Sequence, residues 1–349
     1  MIREDRKTCI VGMSGGVDSA VTALLMKEMN YNVIGCTLKM QDTEKTQHNI
    51  DDVSKITDRL EIPFEVVDCI GDFKKYVIDY FAESYKDGRT PNPCVMCNSF
   101  VKFKYLNAFR EKVGAVTMAT GHYVQLRPDG LYQATDLTRD QSYFLYSIDP
   151  AILSCAVFPL GSYRKSEVRE IAAKHKLHVS QKSDSQDICF ISDSDYKSFL
   201  QSYSQIDFCK NPRGAIVDEC GKILGEHGGL INYTVGQRKG LGLSGGPFFV
   251  RKIDVENNAI VVTNKDGLLE EKIYLKNVKF LNGAFSGECL VKIRSCGVKV
   301  RAKIAEEDRC WTATLLDPEY GAAFGQHCVF YDNDKVLGGG EIYDLTALC

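Results

Sequence analysis

The sequence predicts an α/β protein: a doubly wound parallel sheet, followed by small β-rich domains. Three observations carry this. Short apolar runs alternate with helix-like stretches through the first 120 or so residues, which covers both faces of a parallel sheet with helices. The first run, Cys9-Ile10-Val11-Gly12-Met13, passes through Ser14-Gly15-Gly16-Val17-Asp18-Ser19 into the helix-like Ala20 to Lys27. Beyond about residue 205, glycine turns multiply and short β-rich runs replace helices, as in small antiparallel barrels or sandwiches.

Taken in order, the sheet strands are expected at Cys9–Met13, Val33–Leu38, Phe64–Asp68 and Ala115–Thr120. Helices are expected at Ala20–Lys27, Asp51–Leu60, Phe73–Tyr85 and from about Asn98 to Lys112, then at Ser166–Lys176 and Asp193–Tyr203. Ligands bind such sheets beyond the carboxyl ends of the strands. The glycine loop and the turn Thr120-Gly121-His122 both lie at such ends, so they are expected to face one crevice. Later strand-like runs are Phe248–Ile253, Ala259–Thr263, Glu288–Ile293, Val298–Ile304, Trp311–Leu315 and His327–Tyr331. Boundaries near 205 and 280 divide the chain into 1–204 (the α/β domain with the glycine loop), 205–280 (central β-rich domain) and 281–349 (C-terminal β-barrel).

Composition narrows the class. With 44% hydrophobic and 26% charged residues in 349, the chain has the balance of a globular protein with more than one core. No apolar run approaches the ~18 residues of a membrane span. Met1-Ile2-Arg3-Glu4-Asp5-Arg6-Lys7 has no apolar stretch of a secretory signal. Fourteen cysteines are too few for a disulfide scaffold, so reduced thiols and a cytoplasmic location are expected. The net charge of −3 gives no global support for binding nucleic acid, so any RNA surface must be local. Three basic clusters qualify: Arg164-Lys165 through Lys182, Arg238-Lys239, and Lys292-Arg294 with Lys299-Arg301-Lys303. Taken alone, each reads as a solvated face.

The glycine loop places backbone N–H groups and the positive end of a helix dipole around one small concavity, and paired glycines let phosphate oxygens approach the backbone. It is neither a Gly-Lys-Ser/Thr loop nor Gly-x-Gly-x-x-Gly. The blander possibility is a tight turn with Asp18 or Ser19 as an ordinary N-cap.

Two segments carry sulfur chemistry. In Thr90-Pro91-Asn92-Pro93-Cys94-Val95-Met96-Cys97-Asn98 the prolines exclude regular structure, so both cysteines are expected on a rigid loop just before a helix whose N-terminus favours the Cys97 thiolate. Lys102 and Lys104 add to this if they point inward. No second Cys-x-x-Cys or His pair completes a zinc site. In Lys182-Ser183-Asp184-Ser185-Gln186-Asp187-Ile188-Cys189-Phe190-Ile191 the chain is polar up to Cys189 and apolar after it. That suits a thiol laid at the edge of a core; a buried structural cysteine would fit the same pattern.

The glycine loop resembles the PP-loop of the ATP pyrophosphatases, the adenine nucleotide alpha hydrolase-like fold. Together with Thr-Pro-Asn-Pro-Cys-x-x-Cys-Asn, Thr120-Gly121-His122-Tyr123, Asp140-Gln141-Ser142-Tyr143-Phe144-Leu145-Tyr146, Asp187 to Ile191 and Thr234-Val235-Gly236-Gln237-Arg238-Lys239-Gly240-Leu241-Gly242, it resembles the tRNA-specific 2-thiouridylase family, motif by motif and in order. Pro318 to Gly340 keeps that family's closing pattern.

The resemblance implies sulfur transfer to C2 of the wobble uridine of tRNA. ATP, with Mg2+, would sit on Gly12, Met13, Ser14, Gly15, Gly16, Val17, Asp18 and Ser19, with Leu38 and Gly121 near the adenosine, and Asp18 as the acidic candidate beside the phosphates. The C2 oxygen of the flipped-out base attacks the α-phosphate, because a carbonyl oxygen leaves only once adenylated. Cys189 would carry a persulfide and Cys97 would be its partner thiol. Asn92, Pro93 and Cys94 match the base-contacting tripeptide. His122, Arg139, Asp140, Gln141, Arg294, Ser295 and Gln326 match tRNA-contacting positions. The implied partners are a tRNA with a wobble uridine and a sulfur donor, either a cysteine desulfurase or a relay protein, with neither membrane nor DNA.

Three departures stand out. Many family members have Asp where this chain has Cys94, the proposed acid/base. Some have Lys for Arg139, and the barrel reads Arg294-Ser295-Cys296 rather than Arg-Tyr-Arg, which removes a stacking aromatic. A competing reading uses Cys94, Cys97 and Cys189 to hold an iron–sulfur cluster, as the similar tRNA 2-thiocytidine enzymes do. Three further functions fit less well. A PP-loop amidotransferase needs a glutaminase module not seen here, a lysidine synthetase needs neither cysteine loop, and a non-catalytic RNA-binding protein needs no intact glycine loop.

Overall fold

The computed structural model describes residues 6–182, 188–191, 195–203 and 212–344. It divides into two compact units: one of residues 1–77, 94–186 and 334–337, the other of residues 78–93, 187–333 and 338–349.

The first unit is built on a parallel sheet. Strands β1 (Thr8–Gly12), β2 (Asn32–Lys39), β3 (Phe64–Asp68) and β4 (Thr117–Ala119), with the short strand Ala156–Val157, lie in the order β3-β2-β1-β4 and then 156–157, every pair parallel. Apolar, nearly unbroken runs such as Cys9-Ile10-Val11 are wholly buried in the centre of this sheet, as parallel strands covered on both faces require. Helix α1 (Val17–Glu28) packs Val17, Ala20, Val21 and Leu24 into the same core as Val168 and Ala172 of the helix Lys165–Lys174. Helix α2 (Glu44–Leu60) begins earlier than the expected Asp51, because the Thr43 hydroxyl accepts the Thr46 N–H at 3.2 Å and caps it. A hairpin of Val124–Arg127 and Gly130–Gln133, not anticipated from the sequence, follows the sheet.

The second unit holds the β-rich half. Four strands lie in the order Phe249–Asp254, Ala259–Thr263, Gly214–Val217, Ile223–His227. The expectation of purely antiparallel pairing is corrected here: Ala259–Thr263 runs parallel to Gly214–Val217, since two hairpins are set side by side rather than continued as a meander. Around it packs a small core of Ile216, Tyr233, Leu241, Val250, Ile260 and Val262. Then come Leu269–Phe280, Cys310–Tyr320, Val300–Glu307, Gly287–Lys292, His327–Asp332 and Lys335–Tyr343 in spatial order, closed into a barrel by pairing of the first with the last. Closure depends on glycine. A Cβ on Gly338 would lie 2.2 Å from Lys279 O, and one on Gly340 would lie 2.7 Å from Val278 Cγ2.

Of the expected helix Asp193–Tyr203, residues 193 and 194 lie outside the described residues; Tyr196–Ser202 is helical, with Asp195 accepting the Ser198 N–H at 3.0 Å.

Candidate functional site

The glycine loop joins β1 to α1. Gly15 has φ +72°, and a Cβ there would meet Asn49 O at 2.7 Å, so only glycine lets the chain turn this close to α2. The N-cap of α1 is Gly16, with no side-chain cap hydrogen bond. An N-cap role for Asp18 or Ser19 is therefore wrong. Ser19 lies inside the helix, accepts the Ser14 N–H at 3.2 Å and donates to Gly16 O at 3.1 Å, which fixes the shape of the loop. A helix start without a side-chain acceptor presents its first N–H groups and its dipole to an incoming anion.

The second strand end meets the first. A Cβ on Gly121 would lie 3.0 Å from Asp18 C and 3.1 Å from Ser19 N. The Thr120-Gly121-His122 turn thus rests on the first turn of α1, which brings the two strand ends side by side. Gly12 closes β1, buried Met13 follows it, and half-buried Leu38 lies one residue before the end of the neighbouring β2.

Sequence reasoning missed what surrounds Asp18. Lys165 Nζ donates to both its carboxylate oxygens, each at 2.8 Å, and Tyr123 OH donates to Oδ1 at 2.8 Å. Lys165 is 9% exposed and opens a helix, the end where the dipole disfavours a cation. Asp18 offsets that cost, and Asp136 accepts the Lys165 N–H at 3.2 Å. On the other side of the loop, Lys182 Nζ donates to Gly15 O at 3.0 Å and to Asp52 Oδ2 at 2.8 Å. Lys182, followed by His178, holds the Asp52 carboxyl below its usual range. Lys165 and Lys182 are thus drawn in on the glycine loop and do not form the solvated face their sequence cluster suggested. The signal in the sequence was a basic stretch in which Lys165 and Lys182 are indistinguishable from Lys174 and Lys176 between them. With Lys165 on both oxygens, Asp18 is not disposed as a metal ligand, so it does not by itself fit the Mg2+ role. Among the described residues, no three His, Cys, Asp or Glu side chains gather at metal-binding distance.

The cysteine segment is corrected too. A helical stretch begins at Pro93, not Asn98, and runs on through a π-helical turn, Cys97–Lys102, into Phe103–Lys112. Proline at a first helical position costs nothing, because its missing N–H would have had no partner there. Cys94 and Cys97 therefore lie on the helix itself, three residues apart and on one side of it. Cys94 is exposed and Cys97 is buried. The amides that would favour a Cys97 thiolate thus precede it by one turn. Lys104 is turned to Asp72 at 3.1 Å and Lys102 to His122 Nε2 at 3.5 Å.

His122 is buried, its ring stacked on Phe103. An ammonium only donates, so Nε2 accepts from Lys102 and Nδ1–H donates to Thr120 Oγ1 at 2.8 Å. Burial, and then Lys102, push its pKa well below the usual value; it is a neutral ring at pH 7. Asp140 accepts from Ala134 N, Ser142 N, Gln133 Nε2 and Ser142 Oγ at 2.8–3.2 Å, and Gln141 Oε1 accepts the Tyr123 N–H at 2.9 Å. Both shape the loop behind the crevice, with half-buried Arg139 beside them.

In the second unit, Cys189 is exposed, while Phe190 and Ile191 are buried. Phe190 meets Phe81 and Phe199 edge-on, each at 5.4 Å. This is a thiol at the rim of a core, not a buried structural cysteine. The residues before it, 183–187, lie outside the described residues. Asn92 is buried and Pro93 starts the cysteine helix. Arg294 is paired with Glu319 at 2.9 Å, Ser295 O accepts from Lys292 Nζ at 2.8 Å, and Gln326 Nε2 donates to Thr90 O at 2.9 Å.

Three family models match in succession: a tRNA methyl transferase HUP domain over residues 7–193, a tRNA methyl transferase PRC-barrel domain over 197–264, and an aminomethyltransferase beta-barrel domain over 270–342. The chain is similar to the tRNA-specific 2-thiouridylase MnmA of Acidithiobacillus ferrooxidans, 39% identical over 96% of this chain and 98% of that protein. It is likewise similar to those of Campylobacter jejuni, 39% identical over 95% and 99%, and Endomicrobium trichonymphae, 40% identical over 97% and 99%. The relatives are named for thiolation, so the methyl transferase wording of the domain descriptions is not carried over.

Proposed function

Because the chain belongs to the tRNA-specific 2-thiouridylase family, whose members use ATP to put sulfur on a tRNA uridine, we propose that its work divides between the glycine-loop crevice and two cysteines. The protein is a tRNA-uridine 2-sulfurtransferase; the assignments that follow concern which of its residues do what.

ATP lies with its phosphates on Ser14 to Ser19 and its adenosine between Leu38 and Gly121. The observation that carries this is the contact of the Gly121 turn with Asp18–Ser19, which makes one anion-binding hollow of two strand ends. Lys165 and Lys182 supply positive charge on either side of the loop as pyrophosphate departs. Mg2+ would arrive with the nucleotide and neutralise part of its phosphate charge.

The uridine C2 oxygen attacks the α-phosphate, giving the adenylated base and pyrophosphate. A base flips most cheaply from a single-stranded anticodon loop; Asn92, Pro93 and Cys94 receive it, with His122, Arg139, Asp140, Gln141, Arg294, Ser295 and Gln326 at the tRNA-facing positions. The terminal sulfur of a Cys189 persulfide attacks C2 and AMP leaves. Cys97 thiolate then attacks Cys189 Sγ, breaking the S–S bond and leaving the sulfur on C2. The product enzyme holds a Cys97–Cys189 disulfide, which a dithiol must reduce. The persulfide sulfur comes from a cysteine desulfurase or a relay protein, and the reaction takes place in the cytoplasm.

The test is mass spectrometry of nucleosides from tRNA treated with ATP, persulfide donor and enzyme, wild type against Cys189→Ser. The variant should bind tRNA and release pyrophosphate, yet form no 2-thiouridine. Unchanged thiolation removes the mechanism. Anaerobic reconstitution with iron and sulfide should leave the visible spectrum flat; a broad absorption band that tracks with activity transfers Cys94, Cys97 and Cys189 to a cluster instead.

A further inference from the structure

The segment leading into the base-receiving positions is fastened to the C-terminal barrel at successive residues. Thr90 N–H donates to Phe324 O at 2.8 Å. Gln326 Nε2 donates to Thr90 O at 2.9 Å and to Pro91 O at 3.4 Å. Both acceptors are carbonyls, so the NH2 end of the carboxamide must face them. The strap Phe324-Gly325-Gln326 is itself pinned: Gly325 N–H donates to Ile342 O at 2.9 Å, and Ile342 N–H to Gln326 O at 2.7 Å. Gly325 has φ +89°, and a Cβ there would press on Thr90 O at 3.1 Å and on Arg89 Cβ at 3.2 Å. Next to it, Arg89 pairs with Asp87 at 2.7 Å and with buried Glu341 at 3.5 Å.

This segment needs outside support. Pro91 and Pro93 have no N–H, so Thr90-Pro91-Asn92-Pro93 offers few donors to organise itself. The strap takes the Thr90 donor and two of the carbonyls. With Nε2 spent on them, Gln326 keeps its carbonyl oxygen to accept from a donor on the tRNA, such as a ribose hydroxyl or a base N–H.

We propose that Gln326 is a positioning residue: it holds Thr90-Pro91 so that Asn92, Pro93 and Cys94 meet the target uridine in one fixed arrangement. Its effect on thiolation runs through that loop, in addition to any contact its carbonyl oxygen makes with the tRNA. The inference rests on the assignment of Asn92-Pro93-Cys94 to the base.

The test is Gln326→Met, which keeps the length and removes the donor, in the full chain. Without tRNA, amide hydrogen exchange at Thr90 should speed up about tenfold while strand His327–Asp332 stays protected. Single-turnover thiolation should fall about tenfold or more, with tRNA Kd moving less than about twofold. Unchanged exchange at Thr90, or a loss of tRNA affinity that accounts for all the lost rate, overturns the proposal. Arg89→Met loosens the same segment from its own side and should give the same pair of effects. If Gln326→Met also exposes the barrel strands, Arg89→Met decides, and normal thiolation there overturns the proposal. Asn92→Ala separates the two assignments. Normal thiolation by that variant sinks the base-receiving role and with it the purpose of the strap, whereas fast Thr90 exchange in Gln326→Met still reports the fastening.

Discussion

Lys165 grips both carboxylate oxygens of Asp18, each at 2.8 Å, across 147 residues of chain. The ammonium is thereby held at the start of α1, beside the loop proposed to take the triphosphate. Replacing it by Met should lower pyrophosphate release about 100-fold or more, leave tRNA binding intact, and destabilise the fold by stranding Asp18. Adding Asp18→Asn to that variant should restore thermal stability without restoring pyrophosphate release. Recovery of both would make the pair structural only.

Gly15→Ala should be damaging although it adds one methyl. The backbone there is at φ +72° and the new Cβ would lie 2.7 Å from Asn49 O. A loss of about 1–2 kcal/mol or more in urea unfolding is expected, together with a raised KM for ATP. Gly121→Ala should raise the same KM by pushing on Asp18 and Ser19. Unchanged nucleotide kinetics in both variants would remove ATP from this crevice.

The two cysteines should be joined by the reaction itself. After one turnover without reductant, peptide mapping should find Cys97 linked to Cys189, which requires Cα atoms within about 4.4–6.8 Å of each other in the reacting state. Cys97→Ser should leave the persulfide on Cys189 and stop transfer. Cys94→Asp, which installs the residue many relatives carry, should keep activity that Cys94→Ala loses.

Acid should destabilise the protein through its buried histidines. Burial lowers the pKa of His122 well below its usual value, and that of His327 to about 3, with Lys276 adding to the effect at His327. Above the unfolded value of about 6.5, neither state takes a proton and stability is full. As pH falls below it, the unfolded chain binds protons the folded one refuses, and each histidine costs about 1.4 kcal/mol per pH unit until its folded pKa is reached. The urea midpoint should therefore drop steadily below pH 6.5, and less so in His327→Gln. An equal slope in that variant would rule out His327 as a source.

Much of the fold was legible in the residues alone. Buried parallel strands such as Cys9–Val11 are continuous apolar runs, and the glycine loop needs its residues side by side. The ring of side chains around that loop was not legible. Asp18, Tyr123 and Lys165 are brought together by the sheet, and a charged residue facing inward leaves no periodic trace. The prolines of residues 90–93 read as breakers, yet one of them starts a helix. The last barrel strand, Lys335–Tyr343, was hidden by Gly338-Gly339-Gly340, which look like a turn and instead let two strands close upon each other.

The fastening of Pro91 by Gln326 also orders events during synthesis. Ribosomes deliver the chain from its N-terminus, so residues 90–94 emerge long before Gln326, the residue that steadies them. A nascent chain stalled short of residue 326 would lack the carboxamide that steadies Thr90-Pro91, and should not thiolate tRNA.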